Sequence, residues 1–201
     1  MKKRWKRLGA LLMTAALMLT VCGAVAADDE EEGVLYGVPV IQNQTITIGG
    51  IADGDVVTAY RAYGYDSSYN NYEYDSNFSS YVSGYNADAA SKGVQEYLKS
   101  LDNVGVRALF SAYAIACNKG TAQFPTTKVT SAAAVGGSTS VSLTPGYYML
   151  LVTTTQGNNR IYKVMTVFIQ VKSGVLHVYG GDSNTELSAA GGVYTLEAKS
   201  V

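Results

Sequence analysis

The sequence predicts a mainly β fold, a β-sandwich into which a helical hairpin is inserted. Three observations lead there. Runs rich in Val, Ile, Thr and Tyr recur on both sides of residues 88–119, separated by turns bearing Gly, Asn and Asp. Residues 88–119 carry apolar side chains at helical spacing instead. The runs YYMLLV (147–152) and VMTVFI (164–169) put apolar residues on both faces of a strand. Such strands need cover on both sides: the second sheet on one face and the helical hairpin on the other.

Residues 1–26 stand apart from the fold. A basic start (Lys2, Lys3, Arg4, Lys6, Arg7), an apolar run from Leu8 and the small-residue pattern Ala24-Val25-Ala26 read as a secretory signal cleaved after Ala26. The alternatives are an uncleaved anchor, since the apolar run approaches a membrane span, and a lipid-modified Cys22. Residues 27–39, opening on ADDEEE, read as an acidic tether, and residues 40–201 as the sandwich domain. The leader holds five of the 15 Lys and Arg and none of the 16 acids, so the exported chain has 10 basic against 16 acidic residues, a net of −6. That balance argues against a nucleic-acid partner. Cys117 is the one cysteine after the leader, which precludes an internal disulfide in the exported chain, so its core must hold the fold.

The elements follow in order. QTITIGG (44–50) alternates Ile46 and Ile48 against threonines, and Asp53-Gly54 turns the chain into a second strand, VVTAYRAYGY. Asp88 is placed to cap a helix with Ala90, Val94, Tyr97, Leu98 and Leu101 on its apolar face. Asp102 or Asn103 caps a second, with Val106, Leu109, Phe110, Tyr113, Ala114 and Cys117 along one face and Gly120 past its end. Strands are expected near 127–130, 138–143, 147–155, 160–172, 175–179 and 193–198, with hairpin turns at QGNN (156–159) and KSG (172–174). Thr144-Pro145-Gly146-Tyr147 reads as a type II turn, with Pro145 and Gly146 at its centre.

Catalytic chemistry has little to work with. His177 is the one histidine and lies in an alternating strand, so a Ser-His-Asp triad or a His/Cys zinc site finds no partners. Cys117 lies on an apolar helix face, and Asp53 and Asp55 read as turn residues, without the further ligands of a calcium loop. No enzyme and no cofactor is expected. NQT (43–45) and NFS (77–79) are formal glycosylation sequons. More distinctive is the run of eight tyrosines from Tyr60 to Tyr85, spaced by Ser, Asn, Asp and Gly. Tyrosine offers a large apolar face with a polar tip, which suits an exposed recognition surface. It equally suits covering a sheet edge. On the first reading Tyr65, Tyr69, Tyr72 and Tyr74 are the contact residues.

A signal peptide with the first strand QTITI, the strand VVTAYRAY, the helical stretch ADAASKGVQEYLKSLDNVGVRALFSAYAIACNKG and the turn and strand LTPGYYMLLV follow one another in the chain. In that ordered set, over about residues 40–172, the chain resembles the N-terminal domains of Gram-positive sortase-assembled fimbrial subunits. The resemblance implies an Ig-like or pilin-type sandwich acting outside the cell or at its surface, structural or adhesive, with host or matrix ligands or other pilus proteins as partners. A tyrosine-rich carbohydrate-binding module, with glycans as partners, is the alternative. The family's shaft domains often carry a Lys–Asn isopeptide bond from a first-strand lysine, but no lysine lies between the leader and Lys92. Lys163, inside RIYKVMTV, is the candidate isopeptide lysine that remains, and its simpler reading is a water-facing edge lysine. Neither a Y-P-K linking motif nor an LPxTG-like sorting signal occurs. After signal cleavage no stable membrane insertion is expected.

Overall fold

The computed structural model describes residues 42–66, 71–154, 162–181 and 184–201. The expected leader and tether therefore lie outside the described residues, as does the QGNN turn.

Three layers stack in the order small sheet, large sheet, helices. The small sheet holds β1 (Gln44–Gly49) between β5 (Ser138–Leu143), antiparallel to it, and β10 (Val193–Glu197), parallel to it. The large sheet runs β3 (Asn71–Tyr74), β2 (Val56–Asp66), β6 (Gly146–Thr153), β7 (Met165–Lys172), β8 (Val175–Gly180), β9 (Thr185–Glu186). The short strand β4 (Lys128–Thr130) pairs with β2 as well. The strands expected from the sequence are found, four of them shorter than expected, the 160–172 strand starting only at Met165, and β3 and the two-residue edge β9 are added.

Strand alternation explains the layering. Along β6, Tyr148, Leu150 and Val152 face the small sheet, where they join Ile46, Ile48, Val141, Leu143, Ile169 and Leu196. Tyr147, Met149 and Leu151 face the helices, where they meet Phe78, Leu109, Phe110 and Tyr113. The double-sided apolar strand thus serves two cores at once. A bulge between Arg61 and Tyr63 shifts the register of β2 against β6. It brings Tyr60, Ala62 and Tyr63 to the helical face, where simple alternation would have turned Tyr63 away.

The corner before β6 differs from a type II turn. Gly146 is already the first residue of β6, paired with Gly64 and Ile169, and its φ is 155°, well away from the roughly 80° such a turn needs. Pro145-Gly146 carries the chain from the small sheet (β5) to the large one (β6). The Tyr148 hydroxyl bridges back across the corner to the Thr144 hydroxyl at 2.8 Å and carbonyl at 3.0 Å. Glycine is needed there because a Cβ would lie 2.6 Å from the Tyr63 carbonyl oxygen.

The helical insertion is longer and more broken than a hairpin over 88–119. It has four helices: α1 (Ser76–Ser83), α2 (Ala87–Lys92), α3 (Val94–Ser100) and α4 (Asn103–Asn118). Asn86, not Asp88, caps α2, accepting from the Ala89 N–H, and Gly93, at φ 76°, splits the expected first helix in two. Asp102 caps α4, and Gly120 follows its end in the left-handed region.

Asp75 closes the neck of this insertion. One carboxylate oxygen accepts from the Asn77 and Phe78 N–H groups at the start of α1. The other accepts from the N–H and hydroxyl of Thr126, where the chain returns to the sheet, at 2.9 and 2.7 Å. Burial alone would raise the carboxyl, but the donors of Thr126, Phe78 and Asn77 outweigh it and hold Asp75 below its ordinary value. Asp75→Ala is expected to cost about 2 kcal/mol at neutral pH, a lost cap plus lost bonds across the neck. A carboxyl depressed in the folded state supplies stability that is complete above the unfolded value of about 3.9 and is lost as pH falls through the folded value. Urea melts in acid should therefore show the gap between wild type and variant narrowing. A gap unchanged down to acid unfolding would contradict the clasp.

Candidate functional site

The tyrosine run builds a hairpin and a helix. Strands β2 and β3 pair Tyr63 with Tyr74 and Tyr65 with Tyr72 as cross-strand partners, so the candidate tyrosines gather on one hairpin at the sheet edge. Tyr69 lies outside the described residues, between the two strands. Tyr65 is half-buried and its N–H donates to the Pro145 carbonyl at 3.1 Å, which ties the hairpin to the corner of β6. Tyr74 is packed inward: its ring lies 5.0 Å from that of Tyr63, and burial, with the Glu96 charge, pushes its hydroxyl up.

From this hairpin an aromatic layer runs between the large sheet and the helices. Tyr63 meets Tyr147 at 5.3 Å, Tyr147 stacks on Phe110 at 4.9 Å, and Phe110 stacks on Phe78 at 5.2 Å. Phe78 meets Tyr113 edge-on, and Tyr113 meets Tyr81 at 4.8 Å. On the other flank Tyr60 stacks on Phe124 at 4.4 Å. Tyr60, Tyr63, Tyr74, Tyr81 and Tyr85 thus serve the interlayer packing, and Tyr65 is the described candidate least committed to it. The sequence signal missed was Asp75 followed three residues later by Phe78, a cap and an anchor that start a helix inside the tyrosine run.

Beside the hairpin, at the neck of the insertion, a polar recess of about 250 Å³ is lined by Arg61, Glu73, Asp75, Ser76, Thr126 and Thr127. The Arg61 guanidinium lies over Gly64, where an added Cβ would come within 2.9 Å of it. One cation, Arg61, and two carboxylates, Glu73 and Asp75, line the recess, so it presents mixed charge and no single-sign field.

The other reactive side chains are dispersed. His177 on β8 pairs with Glu186 on β9 across the sheet surface, Nδ1 to Oε1 at 2.6 Å. Cys117 is a free, buried thiol that burial pushes up, and Tyr113 beside it is pushed far above its ordinary value by burial first and then by the neighbouring Cys117 and Asp75. Asp53 and Asp55 hold a turn. Asp53 accepts from the Gly137 N–H, while the fully buried Asp55 accepts from the Ala52 N–H and the Tyr162 hydroxyl, both at 3.0 Å. Among the described residues no three His, Cys, Asp or Glu side chains gather as metal ligands, and no helix is long and apolar enough to cross a membrane.

Lys163 precedes β7 rather than lying within it. It is exposed and donates its backbone N–H to the Lys199 carbonyl at 2.8 Å. It stands on the rim of a groove of about 540 Å³ between α4 and the end of β6, whose lining includes Arg107, Ile115, Leu151, Val152 and Val164.

No family model and no curated protein matches this chain. Among solved structures it is similar to the T6 backbone pilin of serotype M6 Streptococcus pyogenes, described as a modular three-domain protein decorated with variable loops and extensions. The similarity has a TM-score of 0.47 at 16% identity and covers 89% of this chain. The chain spans 29% of that pilin's length.

Proposed function

We propose that this chain is an exported, non-catalytic, pilin-like domain acting at the cell surface, and that the β2–β3 hairpin is its adhesive edge. The observation that carries the reading is the placement of the tyrosines. Tyr65 and Tyr72 are cross-strand partners at the end of the hairpin, beyond the Tyr63–Tyr74 pair that the aromatic layer takes up. Tyrosine supplies a large contact area at low conformational cost, so two of them at facing register positions on the outer hairpin suit a contact surface. Export is supported by the leader, and the structural role by the order of first strand, T-A-Y strand, helical insertion and P-G-Y-Y strand.

The test is attachment of the purified chain to host cells and matrix proteins, with a Tyr65→Ala/Tyr72→Ala double variant beside wild type. Attachment is expected to fall about tenfold or more, as for loss of an aromatic hot spot, while the melting temperature moves little. Undiminished attachment by a folded variant would sink the reading. A glycan array separates the alternative, since a tyrosine-dependent sugar hit would make this a carbohydrate-binding module.

A further inference from the structure

The first and last of the described strands lie side by side and point the same way. Strand β10 pairs with β1 in parallel, from Thr45↔Val193 to Gly49↔Glu197. The chain therefore enters this ladder at one end, through Gln44, and leaves it at the other, through Glu197. Thr45 and Glu197 stand about 13 Å apart along the strand axis, at roughly 3.3 Å per residue.

One bond sets the direction of the rungs. The Ala198 N–H donates to the Gly49 carbonyl at 2.9 Å. Within a strand a residue's N–H and C=O point to one side and adjacent residues alternate. Thr45, Thr47 and Gly49 therefore turn their backbone groups to β10, which meets them with Tyr194, Leu196 and Ala198. Ile46 and Ile48 turn theirs to β5, opposite Val141 and Thr139. Val193, Thr195 and Glu197 point theirs away from β1, and the Val193 N–H indeed goes to the Ala190 carbonyl.

The exit from the ladder is held on its other flank as well. The Lys199 carbonyl accepts from the Lys163 N–H at 2.8 Å, and Tyr162 bridges to Ser200. The Tyr162 hydroxyl donates to the fully buried Asp55 at 3.0 Å and accepts from the Ala52 N–H at 3.2 Å, which ties the exit to the turn after β1.

We propose that β1 and β10 form a shear clamp through which the domain bears tension drawn along its chain. Tension entering before β1 and leaving after β10 pulls the two strands in opposite senses along their common axis. Every rung is then loaded at once, whereas a ladder pulled from one end parts rung by rung. Sliding would also drag Ile46, Ile48 and Leu196 out of register in the core they share. Strand β1 lies between two partners and β10 pairs with β1 alone in its sheet, so β10 and its exit are the part that yields first. This load-bearing role goes beyond attachment by the tyrosine hairpin and does not depend on it.

The test is single-molecule pulling of the exported chain at constant force, with Cys117→Ala in every version so that only the anchor thiols react. Asn43, Asp53 and Val201 are exposed and take the anchors. Asn43→Cys with Val201→Cys loads the ladder from opposite ends. Asp53→Cys with Val201→Cys loads it from one end, because Tyr162 joins the turn at Ala52 to Ser200. At the same force the opposite-end pull is expected to survive about tenfold longer or more. Ala198→Pro removes the exit rung and should shorten that lifetime about fivefold, as for loss of one hydrogen bond. Thr195→Pro removes an N–H that points away from β1 and should leave the lifetime within about twofold. Equal lifetimes from the two anchor pairs overturn the proposal, whether or not the proline variants fold. So does an opposite-end lifetime that folded Ala198→Pro leaves unchanged, or that folded Thr195→Pro shortens as much.

Discussion

Phe110→Ala is expected to cost about 4 kcal/mol, the usual range for removing a fully enclosed phenylalanine. Phe110 is 1% exposed and lies nearly parallel between two rings, 13° from the plane of Phe78 and 6° from that of Tyr147. Truncation removes the buried area, leaves a cavity in the middle of the layer and breaks both stacks, each worth about 1 kcal/mol beyond its area. A domain of this size has about 5–15 kcal/mol in all, so the variant should unfold at markedly lower urea. The partners should be coupled. Phe78→Ala removes one of the same stacks, so the double variant should cost less than the two single losses together. Strict additivity, or a Phe110 cost below about 1 kcal/mol, would mean that helices and sheet are not locked through this layer.

That layer also shows which parts of the fold were legible in the sequence. The strands could be read because Val, Ile and Thr alternate or run continuously, and the need for cover on both sides of YYMLLV led directly to a three-layer arrangement. The α4 helix could be read because its apolar face is long, while its cap, open in the sequence between Asp102 and Asn103, is settled by the structure as Asp102. The tyrosine run was harder, because tyrosine suits an exposed edge and an interlayer equally well. What decided between these roles for Tyr63 and Tyr74 was tertiary: the bulge at Arg61/Tyr63 turns Tyr63 toward the helices, and register carries Tyr74 with it. No local pattern announces a bulge. Equally hidden was the pairing of Tyr162 and Lys163 with the C-terminal stretch, a contact between segments more than 30 residues apart.

Gly146→Ala should be nearly as damaging as loss of Phe110, at about 3 kcal/mol, although it adds only one methyl group. Two effects act together, and a second glycine separates them. The added Cβ would stand 2.6 Å from the Tyr63 carbonyl oxygen and 3.2 Å from the Gly64 Cα. Both are backbone atoms of the neighbouring strand, so no side chain can rotate out of the way. Gly191 also has a positive φ, 59°, but a Cβ there meets nothing within 4 Å. Gly191→Ala therefore carries the backbone strain alone, about 1 kcal/mol. The excess at Gly146 combines the close approach of β2 and β6 at the corner with the greater strain of φ 155° over φ 59°. Functional damage should follow, because the Pro145 carbonyl next to Gly146 accepts the Tyr65 N–H and braces the hairpin proposed to attach. If Gly146→Ala and Gly191→Ala melt alike in urea, the close approach at Gly64 is refuted. If Gly146→Ala loses stability but its attachment is intact, the hairpin holds its shape without the corner, and the adhesive edge is more autonomous than the Tyr65–Pro145 bond implies.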